Sequence, residues 1–307
     1  MVDNDNRFHY IIVSDSKLWS TNQVINKNFI NKMRLFLLLF SLNSLINFSS
    51  ANERIVVAGG ALTEIVFALG AGEDIVGVDS TSRFPKQVTQ LPQIGNLKLL
   101  NIESVLSLRP SLVISFDDAE IANVLKQISQ AKVDVLTLKR VPSTVDLLYE
   151  NISKIAAKLD RSKEGQELIK RIQNNLSQIQ NRTATRRQKT KVLCIMNMGG
   201  NIFIAGKNTT IDALITIAGG ENLATHNSVR TYTTESLIAM NPEVIILTTH
   251  SIEELGGFDK INTIPGITET DAYKNHGIVI IDDSYLFGIG PRVVEVVFKL
   301  FNGFYPE

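Results

Sequence analysis

The feature that most constrains this chain is a pattern that occurs twice. Asn101–Ile114 reads NIESVLSLRPSLVI and Thr233–Ile246 reads TTESLIAMNPEVII. Glu103 aligns with Glu235, Ser104 with Ser236 and Pro110 with Pro242, and the apolar positions between them agree in kind. Each copy opens on a residue suited to capping a helix, Asn101 or Thr233. Each carries a carboxylate in the first turn, where it complements the helix dipole, stops before a proline and runs into an apolar stretch that reads as buried strand. The two copies stand too far apart to be units of a solenoid. They imply two similar lobes, and two lobes imply a cleft. A fainter echo pairs LGAGE (Leu69–Glu73) with IAGGE (Ile217–Glu221).

The segments around the echo fit an α/β reading, with mostly parallel sheets in both lobes. In 53–142, strands are expected at Arg54–Ala58, Ile75–Val78, Leu112–Ser115 and Val135–Leu138, alternating with helices at Thr63–Leu69, over the first echo and at Ala119–Ala131, which implies parallel pairing. In 190–307, a strand at Lys191–Met196, helices at Thr210–Ala218, over the second echo, at Asp259–Ile264 and at Pro291–Phe301, and strands at Val244–Thr248 and Gly277–Ile281 repeat the style. Gly59-Gly60 and Gly199-Gly200 read as turns leading into helices. Between the lobes, in 143–185, Val145, Leu148, Ile152, Ile155, Leu159, Leu168, Ile172, Leu176 and Ile179 recur at helical spacing. The expectation is one long spine helix, on the order of 60 Å for about 40 residues, or two helices broken near Gly165.

The N-terminus carries an address. Lys32 and Arg34 flank Met33, an apolar run follows from Leu35, and Ser49-Ser50-Ala51 supply small residues for cleavage. This reads as a signal peptide over 33–51, with the mature chain starting near Asn52 and 1–32 an extension upstream of the true start. Ser41, Asn43, Ser44 and Asn47 interrupt the run short of the roughly 20 apolar residues of a membrane anchor. The single cysteine, Cys194, sits in the apolar run KVLCIM and reads as a buried strand residue. No cysteine stands at the cleavage point, so a periplasmic protein without a lipid anchor is expected.

No enzyme signature accompanies this. Neither glycine pair belongs to a phosphate loop, the four histidines are scattered without metal-ligand spacing, and no nucleophile–base arrangement is evident. Among 307 residues the formal net charge is zero, which argues against a nucleic-acid binder. Export, two lobes and no catalytic motif point to a carrier.

RIVVAGGALTEIVFALGAGEDIVGVDSTSRFP, LPQIGNLKLLNIESVLSLRPSLVI, MGGNIFIAGKNTTIDALITIAGGENL and DDSYLFGIGPR resemble the heme-binding proteins of bacterial ABC importers, over about residues 53–303. The cobalamin- and siderophore-binding proteins share the architecture. The resemblance implies two lobes joined by a spine, heme as the transported ligand in the cleft, delivery to an inner-membrane permease dimer, and an outer-membrane heme receptor system upstream. The family's usual iron-ligating tyrosine and its supporting arginine correspond here to Asn96 and Lys98. An amide is a poor ligand for ferric iron, and a cationic Lys98 suits a heme propionate. Met198 occupies a position where some members carry a ligating histidine; it is either an axial sulfur donor or a packing residue. Tyr232 is either an iron ligand or a residue that stacks on the porphyrin, and Tyr285 a packing aromatic. Arg83, Arg230 and Arg292 fall in loops expected at the opening, where propionates suit arginine forks, although Arg292 would equally brace the last helix. Glu103 and Glu235 are either helix-end carboxylates or the acidic pair that docks on arginines of the permease. The alternatives are a corrinoid or ferric siderophore as cargo, a tetrapyrrole chelatase on a similar fold, and a partner subunit that has lost its site.

Overall fold

The computed structural model describes residues 53–96 and 98–306. The expected upstream extension, the signal peptide and His9 lie outside these residues.

The first lobe is built on β1 (Ile55–Ala58), β2 (Ile75–Val78), β5 (Leu112–Phe116) and β6 (Asp134–Leu138), in the order β2-β1-β5-β6 with every pair parallel. β1 and β5 are buried along their whole length, as central strands covered on both faces must be. Helix α1 (Gly60–Ala68) follows Gly59, whose φ is 131°. A Cβ on Gly60 would stand 2.5 Å from the Thr81 carbonyl, so a glycine is needed where the loop after β2 crosses the start of α1. A small ribbon, β3 (Gly95–Asn96) with β4 (Leu99–Leu100), precedes α2 (Ile102–Ser107). A single 3-10 turn, Ala119–Ile121, leads into α3 (Ala122–Gln130).

Of the two expected connectors the structure takes the broken one, not the single spine: two helices, α4 (Val145–Lys158), capped by Thr144, and α5 (Ser162–Ala184). The break falls just before Gly165, at Leu159–Arg161, where Asp160 takes a left-handed conformation (φ 54°). Gly165 lies inside α5, where a Cβ would come 2.6 Å from that of Ala156; glycine lets the first turn of α5 lie against the end of α4. The expected stripe Leu168, Ile172, Leu176 and Ile179 is buried. It joins Leu62 and Ile65 of the first lobe and Val192, Leu300 and Phe301 of the second in one continuous apolar cluster.

The second lobe is a mixed sheet: β7 (Lys191–Met198), β8 (Asn201–Ala205), β9 (Glu221–Asn222), β10 (Val229–Thr231), β11 (Val244–Thr248) and β12 (Ile278–Ile281), ordered β10-β8-β7-β11-β12 with β9 on β7. β11 runs parallel to β7 and β12, while β8 and β10 are antiparallel additions. Here the reading of Gly199-Gly200 as a turn into a helix is corrected. The pair closes the β7–β8 hairpin, with φ of 62° and 77° and Met198 paired to Asn201. A two-residue hairpin loop with positive φ at both positions strongly favours glycine. Around these strands lie α6 (Thr210–Ile217), α7 (Thr234–Met240), α8 (Thr249–Leu255), α9 (Asp271–Lys274) and α10 (Val293–Phe304). The helix expected at Asp259–Ile264 is a 3-10 segment, Phe258–Thr263.

The two echo copies adopt one conformation. Asn101 Oδ1 accepts from Ser104 N (2.8 Å), and Thr233 Oγ1 accepts from Ser236 N (3.2 Å) in a reciprocal capping box. Arg109 and Asn241, each just before the proline, are both left-handed (φ 49° and 39°). Both copies deliver fully buried central strands, β5 and β11.

Candidate functional site: the cleft between the lobes

In open α/β sheets, ligands bind beyond the carboxyl ends of the parallel strands. In the first lobe those ends release Gly59, the loop from Asp79 to Arg83, Asp118 and Arg140. In the second they release Thr249 with His250, and Asp283, while the β7–β8 hairpin contributes Met198. Bonds across the seam show that the two edges meet. Arg83 Nη1 donates to Asp283 Oδ2 at 2.9 Å. The other oxygen of Asp283 accepts from Thr249 Oγ1 (3.0 Å) and from the backbone of His250 (2.8 Å). The loop bearing Arg83 is held by the buried Asp79 carboxylate, which accepts from Gly59 N, Thr81 Oγ1 and Ser82 Oγ.

A second crossing lies deeper. Arg292 Nη2 donates to Glu64 Oε1 at 2.5 Å and to Ser284 Oγ at 2.8 Å. Its guanidinium also stands 4.1 Å from the Phe84 ring and 4.5 Å from the Tyr285 ring. The two charged side chains are only 11% and 8% exposed. Burial pushes the Glu64 carboxyl above its usual range, against the pull of Arg292. Arg292, the residue just before α10, is therefore a brace between lobes and is not free for a propionate. Beside it, a cavity of about 480 Å³ opens between α1, α5 and the start of α10, lined by Glu64, Phe67, Phe84, Leu168, Arg171 and Glu295 among others.

The other expected residues lie as follows. Asn96 Oδ1 accepts from Lys98 N and Leu99 N, both at 2.9 Å, so its amide oxygen is used to shape the ribbon tip. Lys98 is exposed, its ammonium 4.0 Å from Glu120. Arg230 is exposed on β10. Met198 is 44% exposed at the hairpin. Tyr232 packs on the apolar cluster of the second lobe, its hydroxyl donates to the Pro265 carbonyl (3.1 Å), and burial pushes its phenol up to about 12. Tyr285 donates to Glu295. Cys194 is buried, and that burial pushes its thiol up to about 12, which disfavours the reactive thiolate. Glu103 and Glu235 are exposed on the matched helices, and neither has an ion-pair partner among the described residues.

Two polar pairs were not foreseen. Arg140 donates to Asp118 at 2.9 Å and lies 6.0 Å from the Phe116 ring. His250 Nε2 sits 3.2 Å from Glu254 Oε1, one turn along α8. The signal was available: Arg140 follows β6 and His250 follows β11, so counting residues past each strand end would have found them.

The profile of the periplasmic binding protein family matches residues 55–285. An uncharacterized ABC transporter substrate-binding lipoprotein, YvrC of Bacillus subtilis, is 26% identical, covering 83% of this chain and 81% of that protein. A vitamin B12-binding protein of Vibrio parahaemolyticus is 24% identical, covering 89% and 97%. Among solved structures, the periplasmic heme-binding protein RhuT from Roseiflexus sp. RS-1, in apo form, superposes with a TM-score of 0.77 at 33% identity, covering 82% of this chain and 98% of that one.

Proposed function

This chain belongs to the periplasmic binding protein family, whose members serve ABC importers outside the cytoplasmic membrane, and from that premise we propose that it carries heme through the periplasm to an inner-membrane permease. The observation that carries the heme assignment is the likeness to the Roseiflexus heme-binding protein, which is stronger in identity than that to the vitamin B12-binding protein. The cleft chemistry agrees with it. Lys98 and Arg230 offer cations at the opening for two propionates, Arg83 adds the exposed side of a guanidinium already bonded to Asp283, and Asn96 shapes the ribbon that presents Lys98. Met198 and Tyr232 are the proposed contacts to the macrocycle. Arg292 acts by holding the lobes at the spacing the ligand requires.

Glu103 and Glu235 are the proposed docking points. They stand at equivalent positions of two equivalent capped helices, so they present one carboxylate per lobe to a permease made of two subunits. Exposed charges of this kind set register and association rate more than affinity.

A corrinoid is the competing cargo, favoured by the vitamin B12-binding relatives. Titrating hemin and, separately, cyanocobalamin into the purified protein separates the two. A stoichiometric Soret shift with hemin and none of the cobalamin bands moving supports heme; the reverse transfers the assignment to a corrinoid.

A further inference from the structure

We propose that His250 supplies the axial nitrogen to the iron of the carried heme, with Glu254 as the residue that orients the imidazole. The inference rests on the heme reading above and adds to it the donor atom that Asn96 cannot provide.

Four observations converge on this histidine. His250 is the second residue of α8, which begins directly where β11 ends, so it stands on the strand edge that faces the other lobe. Its backbone N–H donates to Asp283 Oδ1, and Asp283 reaches across the seam to Arg83, which fixes His250 at the meeting line of the lobes. The ring is 49% exposed, open to an incoming ligand. Finally, Glu254 Oε1 meets both Nε2 of His250 and the backbone N–H of Gly199, each at 3.2 Å. One carboxylate oxygen thus ties the imidazole to the hairpin tip that carries Met198.

The chemistry follows from that shared oxygen. With Nε2–H donating to Glu254, the lone pair lies on Nδ1, and a carboxylate behind an imidazole fixes its tautomer and raises its basicity as a metal ligand. Imidazole is a good donor to iron. A macrocycle fills four of the metal's positions with its own nitrogens, so a single protein donor completes a pentacoordinate centre. The rival donors are less well placed. The Asn96 amide oxygen is engaged in its own turn, and the Tyr232 hydroxyl is committed to Pro265 and holds its proton tightly. Met198 stands exposed at the base of the hairpin whose tip Glu254 ties to the imidazole, and is offered to the macrocycle edge as a packing contact.

The test is a hemin titration of the purified protein and of His250→Ala, His250→Gln, Met198→Ala and Tyr232→Phe, followed by absorption and electron paramagnetic resonance, with far-ultraviolet circular dichroism confirming each fold. The expected result is a stoichiometric Soret shift in the parent, loss of the nitrogen-ligated signature in both His250 variants, retention in Tyr232→Phe, and recovery in His250→Ala when free imidazole is added. A parent that fails to shift refutes the heme reading itself. A parent that shifts while both His250 variants keep the same spectrum leaves heme standing and overturns His250. Loss of the signature in Met198→Ala but not in the His250 variants assigns the donor to sulfur and likewise overturns the proposal.

Discussion

Replacing Arg292 by alanine should destabilise the whole molecule, not one lobe. The guanidinium donates to Glu64 at 2.5 Å, both side chains are about nine-tenths buried, and two aromatic rings flank the cation. Removing one member of such a pair leaves the other desolvated and uncompensated, a cost of roughly 3–5 kcal/mol. Lost ring contacts add on the order of 1–2 kcal/mol, while protonation of Glu64, whose carboxyl burial already pushes up, returns part of the sum. The net expectation is about 3–5 kcal/mol, or a fall of roughly 1–2 M in the urea midpoint at an ordinary slope. Because Glu64 belongs to the first lobe and Arg292 to the second, fluorescence and far-ultraviolet circular dichroism should report one common, lowered transition. The double variant Glu64→Leu/Arg292→Met, which substitutes apolar groups for both charges, should recover most of the loss. An Arg292→Ala midpoint within about 0.5 M of the parent, or a double variant as unstable as the single, would refute the reasoning.

Other outcomes follow from the same geometry. The Glu64 carboxyl is raised in the folded state above its ordinary 4.5, so the stability it allows is present in full below pH 4.5 and is lost as pH rises through the folded value; Glu64→Gln should flatten that dependence relative to the parent in pH-resolved urea melts. Glu103→Ala with Glu235→Ala should leave hemin titration unchanged and cost no more than about 1 kcal/mol per helix, yet abolish stimulation of the permease's ATPase in reconstituted vesicles; full stimulation would return both residues to a purely local role. Free and ligand-bound forms should differ by little rotation between lobes, since one apolar cluster runs through both and through α5; small-angle scattering showing a large hinge opening would contradict this.

How much of this was legible depended on whether the deciding partner was near in sequence. The caps at Asn101 and Thr233, the stops at Pro110 and Pro242 and the stripe from Leu168 to Ile179 are local patterns, and they appear where expected. Gly199-Gly200 fits equally a turn into a helix or a two-residue hairpin until β8 is seen pairing with β7. Helix α8 is short, and Ile252 and Leu255 alone give no usable periodicity; only Thr248, accepting from Ser251 N, marks its start. The Glu64–Arg292 and Arg83–Asp283 pairs join residues that no local pattern connects, so Arg83 and Arg292 read from sequence as free cations when both bridge the lobes.

The glycine just past the elbow, Gly165, has a mechanical meaning. Helix α5 is about 35 Å long at ~1.5 Å per residue, and its first turn rests on Ala156 with no room for a side chain. Its apolar stripe is buried along its length among residues of both lobes, so alanine at 165, a methyl group set against the 2.6 Å available, would part α4 from α5 inside the cluster that both lobes share and loosen the two together.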